Sequence, residues 1–402
     1  MFPCLKELFI QECPNLVEVS LEALPKLRVL DLSICGDGVL RSLIRVASSS
    51  VTKLRIRNIS GLSDEVWRGV MVYLGAVEEV RVSCCDDIRY LWESEAEASK
   101  VLVNLRKLDV YCCSKLVSLG EKEDGCNQLT SLRMLWLYEC KNLECCNLPN
   151  NIQELSICYC DSIASVSFPT GGHKLKSLKI DNCEQLLEKE VLLNTSMPSL
   201  LEVVHIWSWQ NLKSINELTC FIHLTELNIE DCSSIESFPV ADLPNLTSLT
   251  HLTIWNCKSM DVDSFGVWPP KLGSLSIGRL KKPISKLGLK NFPPSVVDLQ
   301  LFDEEDVTSG SQLSHMLPSS LTHLHLWRFE QLESVSKGLQ HLTSLQHLYI
   351  DGCSKMKDLP EELLPSLLSL KIRGCTAELK EKTTRRGSYW PLISYIPRVD
   401  IQ

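Results

Sequence analysis

The hydrophobic positions of this chain recur in one order: Leu, then Leu three residues later, then Leu, Ile or Val two residues later, then Cys three residues later. The first copy runs from Leu5 to Cys13, and the order returns at a mean spacing of about 24 residues. Copies begin at Leu5, Leu27, Val51, Val77, Leu105, Leu132, Ile152, Leu175, Leu201, Leu224, Leu249, Leu272, Val296, Leu321, Leu345 and Leu367.

The two apolar residues at the fourth and sixth positions of each copy predict one short strand, because residues two apart point to the same side of a strand. A single copy cannot bury these side chains, so neighbouring copies must stack and pair their strands in parallel. The period is that of leucine-rich repeats. It predicts an α/β leucine-rich-repeat solenoid, a horseshoe of about 16 repeats with a parallel concave sheet. Proline in several of the convex returns indicates that most returns are irregular.

Nineteen cysteines are present, and eleven occupy the ninth position of the repeat. These eleven are Cys13, Cys35, Cys85, Cys113, Cys140, Cys160, Cys183, Cys232, Cys257, Cys353 and Cys375. A free cysteine packs as a small apolar residue with a weak donor. No Cys-x-x-Cys spacing occurs, so the pattern favours a buried structural thiol over a zinc or redox site.

The ends of the chain differ. Residues 1–375 are predicted to form the solenoid, and residues 376–402 a cap in which Trp390, Ile393 and Ile396 cover the last repeat. At the front the first repeat begins at Leu5 with almost nothing before it. We therefore expect a fragment of a longer protein.

Two phrases carry a resemblance to a known family. The repeat reads LKELFIQECPNL, LTELNIEDCSSI and LQHLYIDGCSKM in three places, and the ending from Gly387 to Pro397 reads W-P-x-I-x-x-I-P after its first residues. Together they resemble the C-terminal leucine-rich-repeat region of plant intracellular nucleotide-binding immune receptors, in particular the coiled-coil class. The resemblance implies a protein-protein interaction module that recognises a pathogen protein or a modified host protein. It also implies that the N-terminal repeats restrain the receptor's nucleotide-binding switch.

The switch itself has no counterpart in this sequence, since G-x-x-x-x-G-K-[ST] and G-x-G-x-x-G are both missing. ATP or ADP is expected only in an upstream module that this chain lacks. No catalytic constellation indicates an enzyme, and no cofactor or metal is expected. The alternative is a substrate adaptor of an F-box ubiquitin ligase. Its repeats tend to be more regular and to follow an F-box, and neither feature is present.

The third, fifth and seventh positions of the repeat should face solvent on the concave side. Aromatic and histidine side chains gather there and are candidate partner-binding anchors. They are Tyr111, Trp136, Tyr138, His205, Trp207, Trp255, Phe302, His325, Trp327 and Tyr349. The alternative is that the rings pack on one another. Four cations on two adjacent strands, Lys53, Arg55, Arg57 and Arg81, form a candidate basic patch for an acidic partner or for the receptor's own upstream module. A solvated charged face is the alternative.

Two further clusters are candidate metal sites. His323, His325 and His347 lie on two adjacent strands, but no Cys or carboxylate obviously completes a site. The acidic run 303–306 is either a cation site or a solvated loop. The net charge of −9 argues against nucleic-acid partners, and no apolar run is long enough to span a membrane. The N-terminus MFPCLKELFI lacks signal-peptide features, so we expect a location in the cytoplasm or nucleus.

Overall fold

The computed structural model describes residues 2–122, 129–168, 174–186, 200–215, 221–236, 240–261, 267–284, 292–302 and 307–402, with the backbone alone at 240–242. The acidic run 303–306 lies outside the described residues. The chain forms two compact units. Unit 1 comprises Met1–Leu201 and Ser208–Asn211, and unit 2 comprises Glu202–Trp207 and Leu212–Gln402.

In unit 1, long strands of the repeats alternate with short strands and three helices. They are β1 (Glu7–Gln11), β2 (Val29–Gly36), α1 (Asp37–Ala47), β3 (Lys53–Ser60), α2 (Asp64–Met71), β4 (Glu79–Ser83), β5 (Tyr90–Trp92), α3 (Glu95–Val101), β6 (Lys107–Tyr111), β7 (Ser118–Gly120), β8 (Met134–Tyr138), β9 (Cys145–Asn147), β10 (Glu154–Cys158), β11 (Ser165–Ser167) and β12 (Ser177–Asp181). The strands β1, β2, β3, β4, β6, β8, β10 and β12 pair in parallel in that order. The short strands make two separate pairs, β5 with β7 and β9 with β11.

Unit 2 continues the same repeat with irregular returns and short 3₁₀ turns. Its elements are β13 (Val203–Trp207), β14 (Glu226–Glu230), a 3₁₀ turn (Val240–Asn245), β15 (His251–Trp255), β16 (Ser274–Gly278), β17 (Asp298–Phe302), a 3₁₀ turn (Gly310–Gln312), β18 (His323–Trp327), β19 (His347–Asp351), a 3₁₀ turn (Leu364–Ser366), β20 (Ser369–Arg373), α4 (Ala377–Thr383), α5 (Trp390–Ile393) and β21 (Arg398–Ile401). From β13 to β21 each strand pairs in parallel with the next.

The apolar fourth and sixth positions make the core, as the sequence predicted. Leu30 pairs with Leu54 and Leu32 with Ile56 across β2 and β3, and all four side chains are buried. The same register holds along each unit, so each strand covers the apolar side chains of its neighbour. Each of the sixteen predicted repeats contains one such strand in the described chain. The leucine-rich-repeat solenoid is confirmed.

The turn after each strand has a left-handed backbone that the pattern did not reveal. The eighth position of the repeat has a positive φ in every repeat where the structure describes it, for example 55° at Glu12, 52° at Ile34 and 54° at Asp231. This conformation costs a non-glycine residue about 1–2 kcal/mol. It is held because the amide of that residue continues the ladder to the next strand, as Asp231 N does to Trp255 O at 3.0 Å.

The ninth-position cysteines lie under this turn as free thiols, and nine of the eleven are buried, all except Cys13 and Cys375. Cys257 Sγ lies 3.5 Å from Trp255 O in its own repeat and 3.9 Å from Ile229 O in the preceding one. Cys140, Cys183 and Cys232 repeat this geometry. Burial raises the pKa of the Cys257 thiol to about 12, so the thiol stays protonated and can donate its S–H. All seventeen described cysteines are free, and the predicted structural role fits this geometry.

Three returns of unit 1 are helical, where the sequence predicted mostly irregular chain. Helix α1 buries Val39, Leu40, Leu43, Ile44 and Ala47 on one face. Helix α2 begins after Ser63, whose hydroxyl accepts from Val66 N, and α3 begins after Ser94 in the same way. The apolar stripes and the Ser caps that begin these helices are visible in the sequence.

The segment after Cys375 folds onto the end of unit 2. Strand β21 pairs with β20, and Ile393 and Ile396 are buried. The buried aromatic residue is Tyr389 (3% exposed), whose hydroxyl accepts from Leu359 N at 3.1 Å. Trp390, the third residue predicted to cover the last repeat, is partly buried. Its contact with the core stays a prediction.

Strands β16 and β17 approach each other closely at Gly278. A Cβ at this position would lie 2.3 Å from Phe302 O. We expect Gly278→Ala to lower the free energy of unfolding by about 1–3 kcal/mol, as overpacking does. The matched control is Gly69→Ala in α2, where a Cβ would meet nothing within 4 Å. This variant should raise the free energy of unfolding by about 0.5–1 kcal/mol. Urea unfolding followed by circular dichroism measures both, and equal effects would contradict the close approach.

The thiol hydrogen bonds can be separated from thiol volume at Cys257. Cys257→Val keeps an apolar side chain of similar size but removes the donor, and we expect it to cost about 1 kcal/mol. Cys257→Asn restores a donor to the same carbonyls and should recover part of that loss in the same unfolding measurement. If the valine variant unfolds like the unmodified chain, the cysteines act through volume alone.

Candidate interaction surface

The side chains at the third, fifth and seventh positions project from the strands away from the leucine core. We call this side of each unit the open face. All ten predicted anchor residues lie on it. Nine are half-buried, and Trp207 is exposed, with 41% of its surface accessible. Their assignment as partner-binding residues remains a prediction.

In unit 1 the aromatic rings pack on one another and on cations. The ring centroids of Tyr111 and Tyr138 are 5.8 Å apart, and those of Tyr138 and Tyr159 are 5.3 Å apart. Lys107 Nζ lies 3.5 Å from the centroid of Trp136, a cation–π contact. Tyr159 was not predicted because it occupies the eighth position, which the pattern assigned to the turn.

The predicted basic patch is brought together on β3 and β4, but most of its charge is matched within the unit. Lys53 forms an ion pair with Glu79 at 2.9 Å, and Arg55 approaches Asp31 at 3.9 Å. In the described chain, Arg57 has no ion pair or side-chain hydrogen bond. The patch is therefore less basic than the sequence alone suggested.

The fourth residue of the patch, Arg81, belongs to a charge cluster around the buried carboxylate of Asp109. Its Nη2 and Nε donate to Asp109 Oδ2 at 2.9 and 3.2 Å. Asp109 is only 3% exposed and also lies 3.5 Å from Lys107 Nζ. Arg55, Arg57, Arg81 and Tyr111 line a depression of about 420 Å³. Lys107 and Asp109 were not singled out from the sequence, although they occupy the third and fifth positions of the same frame.

In unit 2 the seventh positions form a continuous row in register. The row runs Trp207, Glu230, Trp255, Gly278, Phe302, Trp327 and Asp351. Because Gly278 has no side chain, the rings of Trp255 and Phe302 meet over it with centroids 5.7 Å apart. Phe302 then stacks on Trp327 at 6.2 Å and 16°.

Trp207 is the first residue of this row, and a hydrogen bond holds its indole ring. Its Nε1 donates to Asp231 Oδ2 at 2.8 Å, and Asn256 Nδ2 donates to the other oxygen of the same carboxylate. Asp231 is the left-handed eighth residue of its repeat. The exposed indole is therefore fixed in orientation while its face stays accessible.

The histidines of this face pair with each other and with neighbours. His205 Nε2 lies 3.0 Å from Glu226 Oε1. The rings of His323 and His347 stack at 4.1 Å, and His325 lies 4.3 Å from the ring of Tyr349. Burial lowers the pKa of His325 and of His347, so both are neutral at pH 7. In the described part of the chain, no group of three or more potential ligands could hold a metal ion.

The open face therefore presents aromatic rings, carboxylates and a few cations. Separately, no helix among the described residues is long and apolar enough to cross a membrane.

The sequence of the chain is similar to those of plant disease resistance proteins. The chain is 26% identical to disease resistance protein RPP5 of Arabidopsis thaliana over 433 aligned residues, covering 89% of this chain and 28% of that protein. It is 23% identical to disease resistance protein RPP4 of the same plant, covering 78% of this chain and 30% of that protein. It is 28% identical to TMV resistance protein N of Nicotiana glutinosa, covering 42% and 12%.

The chain thus spans less than a third of the length of these relatives. No family model matches it. The coiled-coil class indicated by the sequence phrases gains no support from these relatives.

Among solved structures, the crystal structure of a complex of TLR13 with ssRNA13 aligns with a TM-score of 0.51 and 14% identity, covering 89% of this chain and 64% of that one. At this identity the likeness shows the fold alone. The chain is a leucine-rich-repeat solenoid whose relatives are plant disease resistance proteins.

Proposed function

We propose that this chain is the recognition module of a plant immune receptor, and that its open face binds a pathogen protein or a host protein modified by a pathogen. The observation that carries the proposal is the row of rings on unit 2, which stands on a rigid parallel sheet. The repeat fold favours a non-enzymatic interaction module. The disease resistance relatives favour an immune receptor over the ligase adaptor as the protein that contains it. A cytoplasmic or nuclear location is part of the proposal.

The row suits binding because its side chains are already ordered. Trp255, Phe302 and Trp327 support one another through ring contacts, and Trp207 is held by Asp231. A partner that covers them gains buried aromatic area, while little further side-chain entropy is lost. Trp207 offers the most exposed surface of the ten predicted anchors and is the leading candidate for a dominant contact.

Restraint of an upstream nucleotide-binding module is the second part of the proposal. The residue best placed for it is Arg57, since its charge is not matched within the described chain. ATP or ADP would be bound by the upstream module. A ligand would activate such a receptor only if it binds the released state more tightly than the restrained state.

Trp207 on β13 and Trp209 in the turn that follows allow recognition and stability to be tested separately. We expect Trp207→Ala to change the free energy of unfolding by less than about 1 kcal/mol and to abolish recognition by the full receptor. Trp209 is fully buried, and its Nε1 donates to Leu186 O at 3.1 Å. Trp209→Ala should therefore cost about 3–5 kcal/mol. Chemical unfolding measures stability, and a cell-death assay in leaves measures recognition.

Retained recognition by Trp207→Ala, in a receptor that accumulates normally, would remove Trp207 from the binding surface. A large loss of stability in that variant would instead place the ring in the core.

The restraint contact is tested by reversing the free charge of the patch. In the full receptor, Arg57→Glu should weaken restraint and raise ligand-independent activity, because no internal ion pair is broken and the fold is kept. The matched control is Arg45→Glu on α1, an exposed residue of a return, which should leave the resting activity unchanged. Equal activity of both variants and of the unmodified receptor would contradict a role of Arg57 in restraint.

A further inference from the structure

The open face of unit 2 has a charge pattern of its own. Strands β13 to β19 place three residues each on this face, and none of these residues is Lys or Arg. The face instead has four carboxylates, from Glu226, Glu230, Asp298 and Asp351, together with the five aromatic rings of Trp207, Trp255, Phe302, Trp327 and Tyr349. We call these nine residues the acidic-aromatic strip.

Within the strip, carboxylates and rings occupy neighbouring strands. Glu230 lies in register between Trp207 and Trp255, and Asp351 lies in register beside Trp327. Adjacent strands are about 4.8 Å apart. A group that stacks on one of these rings can therefore reach the carboxylate of the next strand.

We propose that the acidic-aromatic strip binds a cationic segment of a partner protein, rich in arginine and lysine. A guanidinium stacks on an indole face and at the same time donates to a neighbouring carboxylate. An ammonium group is attracted by both as a point charge. The proposal deepens the proposed function, on which it rests, by giving the partner a chemical class.

Other occupants fit the strip less well. An acidic or phosphorylated segment, or a nucleic acid, would meet four carboxylates and no Lys or Arg on these seven strands. A wholly apolar segment would take the carboxylates out of water without bringing a cation to them, which is costly.

The basic patch on the unit 1 open face of a second copy is a poor match for the strip. There Lys53, Arg55 and Arg81 already lie beside acids of their own unit. In the described chain Arg57 is the cation of that patch left without an ion pair. One such cation gives the patch little to place against four carboxylates.

The test uses the intact chain and a fluorescein-labelled peptide in which arginine alternates with glycine. Fluorescence anisotropy should show saturable binding that weakens as salt rises from about 0.05 M to about 0.5 M, because exposed charges are screened. Peptides with glutamate or with uncharged citrulline in place of arginine should bind at least about tenfold more weakly, since both lose the charge-assisted contacts.

The site is located by a charge-neutralising pair. Glu230→Gln with Asp351→Asn should weaken binding of the arginine peptide about tenfold, through loss of two charged contacts. The matched control is Glu361→Gln with Glu362→Gln, two exposed acids of the return between β19 and β20. The control pair changes the net charge equally and should alter affinity less than about twofold. Circular dichroism melting confirms that both variants fold.

Three results would overturn the proposal. The arginine and citrulline peptides bind alike, or both variant pairs weaken binding equally, or sedimentation shows that the chain self-associates and that Glu230→Gln with Asp351→Asn abolishes the association. The last result would assign the strip to a second copy.

Failure here is distinguishable from failure of the proposed function. If the Trp207→Ala receptor loses recognition while the arginine peptide does not bind, the recognition face stands and the cationic partner is wrong. If the peptide binds through Glu230 and Asp351 while the Trp207→Ala receptor still recognises its ligand, the strip stands and recognition lies elsewhere.

Discussion

Register between neighbouring strands is the constraint on which this structure depends. No single repeat can cover its own fourth- and sixth-position side chains, so each strand is stable only when the next one lies parallel to it with Leu opposite Leu or Ile. A slip of one residue would turn the apolar side chains to solvent and the polar ones inward. The left-handed turn, with a thiol beneath it in eleven of the sixteen repeats, holds this register at the end of the strand.

Because the buried positions hold the repeats together, the residues of the open face can vary. The core positions hold the solenoid in both units, yet the two open faces differ in chemistry. In unit 1, cations and acids on adjacent strands neutralise one another, as Arg81, Lys107 and Asp109 do. In unit 2, rings and carboxylates share the seventh position, and β13 to β19 place no Lys or Arg on the face. The same frame therefore presents a largely self-satisfied surface and a surface suited to an external partner.

Order of the side chains matters as much as their identity. An exposed tryptophan that is free to rotate loses entropy when it binds, whereas Trp207 is tied to Asp231 before any partner arrives. Gly278 contributes by what it lacks, since the missing side chain lets Trp255 and Phe302 meet. A recognition surface built in this way is rigid, and its specificity depends on which groups the frame places side by side.

The sequence alone determined the repeat, the strand positions, the buried leucines and the residues of the open face, because period-two alternation and a recurring cysteine are local signals that stacking amplifies. It did not reveal the left-handed turns, the three helical returns, or the burial of Tyr389. Pairing of Lys53 with Glu79 and of Arg81 with Asp109 was likewise decided only in three dimensions. These features depend on which side chains of neighbouring repeats come within reach, and residues more than 20 positions apart in the chain meet only when the strands have stacked.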